Sequence, residues 1–452
     1  MEPKFHAFMF PRFAFGHMIL FLHLANKLAE RGHKITFLLP KKAQKQLEHL
    51  NLFRDNIVFH PLVVSPLDGL PIGGETASDI PTSLSSSLAS AMDRTRDQVE
   101  DAVRIGKPDM IFFDFAQWVT EIAKKNETKS VYFITFSAAA ASTLLVPGLR
   151  PDNLDVLPPG YPFSKVLLRG QETNAMSFLF YPFGEGHTIY ERNSKGLTNC
   201  DVILTRTCLE VEEKFCDFLG SQFQRKVLLS GPILPEPDKI IPLEDRWNLW
   251  MNRFEPGSVV FCALGSQIIL EKNQFQELCL GMELTGLPFL VAVKPPRESS
   301  TVQEGLPEGF EERVKGHGVV WGGWVQQPLI LAHPSVGCFV NHCGFGSMWE
   351  SMVSDCQIVL LPYLPDQILN TRLLIEELEL SVEVEREAGL FSKEKLSVVV
   401  RSVMEKDSEL GNRVRKNHAK WKETLLRHGL MSGYVNNLVE ALEKLVQNIN
   451  LE

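Results

Sequence analysis

Residues Trp324–Gln367 read WVQQPLILAHPSVGCFVNHCGFGSMWESMVSDCQIVLLPYLPDQ. Within this run Cys338–Asn341 is a short apolar strand, and His342 follows it at once. The chain then turns through Gly344 and Gly346 into a helix that carries Ser347, Glu350 and Ser351. Ile358–Leu361 is the next apolar strand. Strand, glycine turn, helix and strand make up the repeating unit of a parallel sheet, because parallel neighbours need a crossover long enough to hold a helix.

The polar residues of this unit fall where such a sheet binds ligands, beyond the carboxyl ends of its strands. A helix start offers unpaired N–H groups and the positive end of a dipole, which suits phosphate. Gly346 permits close backbone approach, and the Ser347 hydroxyl adds a donor. Ser347 and Glu350 stand three apart and share a helix face, so Glu350 can accept from paired ribose hydroxyls. Trp324 lies just past the strand Val319–Trp321, and Asp366–Gln367 lie just past Ile358–Leu361. Gly265–Ser266 follow Ser258–Leu264 in the same way. A flat plate for a base, amides for phosphates, a carboxylate for ribose and polar side chains for a sugar together point to a nucleotide-sugar.

The same alternation extends in both directions. Phe289–Val293 completes the strands of the second half. In the first half, apolar runs at Phe5–Phe10, Lys34–Leu39, Met110–Phe113, Val131–Thr135, Val202–Leu204 and Val227–Leu229 read as strands. Met18, Phe21, Leu22, Ala25, Leu28 and Ala29 recur at helical spacing, with His23, Asn26, Lys27 and Glu30 opposite. Pro66–Ser90 and Pro147–Pro162 are turn-rich and read as pocket-shaping loops. Gly231–Pro242 carries four prolines without periodicity and reads as an interdomain linker. Arg413–Arg427 reads as a helix with a solvated basic face. Two α/β halves of similar size follow, as a length of 452 residues suggests.

Composition narrows the function classes. A net charge of -9 argues against nucleic acid or an anionic membrane as the main partner. Eight cysteines, none before Cys200 and none in a CxxC, form neither a disulfide framework nor a zinc set, so reduced thiols are expected. The sequence has no signal-like start and no apolar run of membrane-spanning length. A cytoplasmic protein is therefore expected; the expected oligomeric state is a monomer. Neither half has GxGxxG with a following acid, which argues against a nicotinamide oxidoreductase.

In the first half, His17 lies between the first strand and its helix, and Asp114 ends another strand. Both fall on the carboxyl edge of one sheet, where an acid can orient a histidine base.

The run Trp324–Gln367 resembles the signature box of plant secondary-product UDP-glycosyltransferases, in its length and in Trp324, Gln327, His342-Cys343-Gly344, Ser347, Glu350 and Asp366–Gln367. The resemblance implies that Trp324 stacks on uracil and that the Val325 backbone pairs with the base edge. It implies that Gln327 and Glu350 hold ribose, that His342 and Ser347 bind the diphosphate, and that Asp366 and Gln367 hold the sugar. His17 and Asp114 match the family's catalytic pair. Phe345–Gly346 stand where the commonest pattern has Trp-Asn, Leu20 where relatives usually have proline, and Arg12 where they often have tryptophan. Phe-Gly and the N-terminal run resemble the branch that extends the sugar of flavonoid glycosides.

The implied fold is GT-B, two Rossmann-like α/β domains with parallel sheets facing across a cleft. Residues 1–231 would bind the acceptor, 232–249 link, 250–432 bind the UDP-sugar, and 433–452 return to the first domain as a helix. The implied activity is inverting transfer from a UDP-sugar to a flavonol or anthocyanidin 3-O-glucoside. Glucose is the expected sugar, with rhamnose and xylose as alternatives. No cofactor is expected and no metal, since the sequence has no Asp-x-Asp. A non-catalytic UDP-sugar-binding protein, or a transferase acting on another phenolic or terpenoid acceptor, is the competing reading.

Overall fold

A computed structural model of the protein describes residues 4–162, 165–234, 242–265, 267–387 and 389–447. The chain divides into two compact units: Met1–Phe163 with Leu168–Ile233 and Gly429–Glu452, and Leu234–His428 with Ser164–Leu167.

Among the described residues the first unit is built on seven strands: β1 (His6–Phe10), β2 (Lys34–Pro40), β3 (Ile57–Leu62), β4 (Met110–Phe113), β5 (Lys129–Ile134), β6 (Val202–Thr205) and β7 (Lys226–Leu229). They pair in the order β3-β2-β1-β4-β5-β6-β7, all parallel. The winding reverses between β1 and β4, which leaves a crevice at their carboxyl ends. β4 is buried along its whole length, as a strand covered on both faces must be. Pro11, which has no N–H to donate, follows β1.

Helix Phe15–Ala29 covers this sheet with Met18, Phe21, Leu22, Ala25, Leu28 and Ala29 buried. Asn26, expected on the outer face, is buried as well. Its amide donates to the Leu50 carbonyl at 2.9 Å and accepts from the Leu52 N–H at 3.1 Å, so its polarity is satisfied inside. Helix Leu430–Gln447 adds Leu438, Val439 and Leu442 to the same core. Its Tyr434 hydroxyl donates to Glu210 at 2.7 Å and accepts from the Leu209 N–H at 2.8 Å.

Among the described residues the second unit has six parallel strands: β8 (Val259–Ala263), β9 (Phe289–Ala292), β10 (Gly318–Trp321), β11 (Val336–Asn341), β12 (Gln357–Leu360) and β13 (Ser381–Glu383). Their order is β10-β9-β8-β11-β12-β13, and the winding reverses between β8 and β11.

Several details differ from the sequence reading. β3 and β13 were not anticipated. Both are edge strands; β3 is half exposed and contains Pro61, and β13 is three residues long, so neither carries a continuous apolar signal. The turn-rich stretch from Pro66 ends early, because Ser85–Asp93 is a helix. The stretch also carries an anchored turn, with the Ala77 N–H donating to the Phe13 carbonyl at 2.8 Å and Thr76 bonded to Asp79. Helix Asp245–Met251 begins inside the segment read as linker, and its Trp247 and Met251 join the second unit's core; positions 235–241 of that linker lie outside the described residues. Arg413–Arg427 falls on helix Glu409–Leu426, whose basic face is matched by an inner face burying Val414, His418 and Leu425. All eight cysteines are free and buried. Among the described residues no helix is long and apolar enough to cross a membrane.

Leu442 is fully buried. Leu442→Ala is expected to lower the unfolding free energy by about 2–5 kcal/mol in urea titration. An unchanged midpoint would detach the last helix from the first unit's core.

Candidate active site

His17 lies in the first turn of helix Phe15–Ala29 rather than in the connection before it. Asp114 directly follows β4. Because β1 and β4 are paired neighbours, the two side chains meet: His17 Nδ1 is 2.5 Å from Asp114 Oδ2. Asp114 Oδ1 accepts the Arg12 backbone N–H at 2.8 Å, so both carboxylate oxygens are held. The Thr135 hydroxyl lies 3.2 Å from the same His17 Nδ1. Sequence reasoning missed Thr135, although it occupies on β5 the post-strand position that Asp114 occupies on β4. The His17 side chain keeps 24% of its exposure and that of Asp114 only 2%. With Nδ1 engaged, Nε2 is the ring nitrogen left to accept a proton.

Helix Ala138–Leu144, which opens on four alanines, begins after β5. Ser137 caps it by accepting the Ala140 N–H, and buried Glu212 accepts the Ala139 N–H at 2.9 Å. Burial pushes the Glu212 carboxyl up.

In the second unit, His342 follows β11 and Gly265 follows β8, again at the reversal point. The imidazole lies against two glycines: a Cβ on Gly265 would come within 2.7 Å of the ring, and one on Gly344 within 2.5 Å. Burial, only partly opposed by the Ala263 backbone, pushes His342 down to about 4. At neutral pH it is therefore an uncharged donor or acceptor. Cys343 takes a left-handed φ of 56°, which is uncommon for a residue with a Cβ. Asn341 Oδ1 accepts the Cys343 N–H at 2.8 Å and Asn370 Nδ2 donates to its carbonyl at 2.9 Å, so two buried amides hold this turn. Neither amide was legible beforehand, since Asn341 ends an apolar strand and Asn370 is one of several polar residues of its helix.

Helix Phe345–Val353 starts from Gly344. Gln327 Nε2 donates to Glu350 at 2.7 Å and to the Ser347 hydroxyl at 3.2 Å, so these three predicted residues form one cluster. Trp324 is 76% exposed, an unusual state for so large a ring, while Val325 is buried. Asp366 and Gln367 open helix Pro365–Arg372. Gln367 Oε1 accepts from the Tyr363 and Leu364 N–H groups at 2.9 and 3.1 Å. That fixes the amide orientation and turns its NH2 outward from the cap. Burial pushes the Asp366 carboxyl up to about 6, against the pull of the N–H groups of Asp366 and Gln367. Ser266 lies outside the described residues.

Residues 313–417 match the family described as UDP-glucoronosyl and UDP-glucosyl transferase. The chain is 72% identical to UDP-glycosyltransferase 79B6 of Arabidopsis thaliana over 100% of both chains. The chain belongs to the plant UDP-glycosyltransferase family. UDP-glycosyltransferase 79B9 of the same plant is 67% identical, again over 100% of both chains. The crystal structure of Arabidopsis thaliana UGT89C1 complexed with UDP-L-rhamnose shares the fold at a TM-score of 0.77 and 23% identity, covering 97% of this chain and 99% of that one. The fold is GT-B.

Within this plant UDP-glycosyltransferase the three departures have definite local consequences. The first helix runs unbroken through Leu20, whose N–H continues a ladder that proline would interrupt. Arg12 holds Asp114 through its backbone, which most residue types could supply. Phe345 is buried and meets Trp349 edge-on at 6.0 Å, whereas a Cβ on Gly346 would meet nothing within 4 Å. The missing side chain at Gly346 is therefore not demanded by packing.

The two glycines should respond in opposite ways. Gly265 has a φ of 71° and no room beside His342, so Gly265→Ala should lower both the melting temperature and UDP affinity in calorimetry. Gly346→Ala should leave the fold intact or raise its stability by about 0.4–1 kcal/mol. Equal tolerance at both positions would contradict the packing described.

Proposed function

We propose that the protein transfers a sugar, with inversion, from a UDP-sugar to a hydroxyl on the sugar of a flavonol or anthocyanidin 3-O-glucoside. The observation that carries this reading is the His17–Asp114 pair, with Nδ1 bound to the carboxylate and Nε2 left for substrate. His17 Nε2 takes the proton of the acceptor hydroxyl. The oxygen forms its bond to the anomeric carbon as the bond from that carbon to the UDP oxygen breaks. Asp114 stabilises the imidazolium that results.

The second unit supplies the donor groups. Trp324 and the Val325 backbone take the uracil, and Gln327 and Glu350 the ribose. His342, Gly344, Gly346, Ser347 and the helix start take the diphosphate, with Ser266 as a further donor. Asp366 and Gln367 take the sugar. Fixed N–H groups stabilise charge on the leaving UDP without reorganisation, so turnover needs no metal. The NH2 that Gln367 presents, with the neighbouring carboxylate, fits the hydroxyls of glucose, and rhamnose and xylose are the donors to compare. The enzyme works as a cytoplasmic monomer. The flavonoid glycoside acceptor rests on the resemblance of the N-terminal run and of Phe345–Gly346 to that branch.

A screen of UDP-sugars against flavonoid glycosides, read by mass spectrometry, tests the reading. A diglycoside product with wild type, loss of about 10²–10⁴ in rate with His17→Ala, and turnover insensitive to a chelator are expected. UDP binding without product from any acceptor would favour a binding protein, and magnesium-restored activity would overturn metal independence. A second check uses pH. Asp366 is ionised above about 6 and protonated below it. The carboxylate accepts sugar hydroxyls better, so KM for UDP-glucose should rise as pH falls through that value. Asp366→Asn should bind more weakly throughout and remove the inflection.

A further inference from the structure

Arg12 stands in the connection between β1 and the helix that carries His17. Its guanidinium carbon lies 5.0 Å from the centre of the Phe115 ring and 5.2 Å from that of Phe183. Phe115 directly follows Asp114. Phe183 is held by a short bridge between Pro182 and Thr188 and by its N–H bond to the His187 carbonyl at 2.7 Å. The cation is thus gripped by two rings that the fold keeps in place.

A second guanidinium, Arg192, lies 5.0 Å from the same Phe115 ring, and the two cations are treated differently. Arg192 pairs with both oxygens of Asp93 and donates to the Phe183 carbonyl at 2.7 Å. Arg12 has no such neutralising partner: among the described residues no hydrogen bond or ion pair reaches its guanidinium. Asp114 acts on it, but that carboxylate is already committed to the Arg12 backbone N–H and to His17. Burial pushes the Arg12 guanidinium below its ordinary range; Asp114 opposes this and Arg192 adds to it.

Aromatic faces stabilise a cation but satisfy none of its N–H groups. Arg12 is partly exposed and carries five donors and no acceptor. A carboxylate matches that planar fork with two parallel bonds. We propose that Arg12 is a specificity-determining residue that receives a carboxylate carried by the acceptor, so that the enzyme favours an acidic glycoside over its neutral counterpart. The inference rests on the reading that His17 Nε2 meets the acceptor hydroxyl, since the Arg12 backbone is bonded to Asp114 of that pair.

The test compares a flavonol 3-O-glucuronide with the 3-O-glucoside of the same flavonol, which differ by a carboxylate in place of a CH2OH. Both kcat/KM with UDP-glucose and binding by tryptophan fluorescence are measured. Wild type should prefer the glucuronide roughly 10- to 100-fold, the range of charge-assisted hydrogen bonds. Arg12→Gln should erase the preference, and Arg12→Lys should keep part of it, having charge without the fork. Melting temperatures confirm that each variant is folded. Equal use of the two acceptors by wild type, or a preference that survives Arg12→Gln, overturns the proposal. So does an Arg12-dependent gain with UDP-glucuronate and the neutral acceptor, which would assign the carboxylate to the donor. If the glucoside is converted but not favoured or disfavoured, only the role of Arg12 fails. If neither glycoside is converted, the transferase reading fails, and the fluorescence titration still decides Arg12.

Discussion

Parallel pairing of β1 with β4 sets Phe10 beside Phe113, and the meeting of His17 with Asp114 depends on that register. The residues that follow these partners leave the sheet at the same edge. His17 and Asp114, far apart in the chain, reach hydrogen-bonding distance because two consecutive strands of the winding lie on opposite sides of β1. A slip of one residue would turn Asp114 to the other face of the sheet and break the pair. The second unit repeats the device with β8 and β11, which bring Gly265 against His342. In both units the reversal of winding makes the crevice, and the residues just past the strands fill it with polar groups.

These polar groups are held in conditions that cost stability. Cys343 sits in a left-handed conformation, Asp366 and His342 are desolvated, and burial works against the charge of Arg12. Each persists because packed neighbours over-determine it. Asn341 and Asn370 clasp the Cys343 turn. The helix that carries Ser347 and Glu350 is braced at its far end, where His418 Nε2 meets the Ser351 and Met352 carbonyls at 3.0 and 3.2 Å. Helices remote from the ligand groups thus contribute to the geometry of the groups that would meet it.

Central elements were readable in advance, because strands covered on both faces must be apolar throughout. Met110–Phe113 is such a run and needed no refinement. Edge strands were not, since β3 and β13 pack on one side only and carry mixed residues. The grouping of Gln327, Ser347 and Glu350 was readable from spacing and resemblance together, as one helix face and one nearby turn. Thr135, Asn341, Asn370 and His418 were not, because a polar residue looks alike in sequence whether it faces solvent or a partner distant in the chain.

The sequence by itself determined the alternating α/β class, the glycine turn into a helix after β11, and the family, because these are local patterns of apolar period, turn residues and motif spacing. Only the tertiary structure decided which nitrogen of His17 is bound to Asp114, that Gln367 is held by the cap of its own helix, that burial holds His342 neutral, and that the Arg12 guanidinium lies between two aromatic rings. Those properties depend on desolvation and on partners brought together from separate strands, and neither quantity is carried by residue order alone.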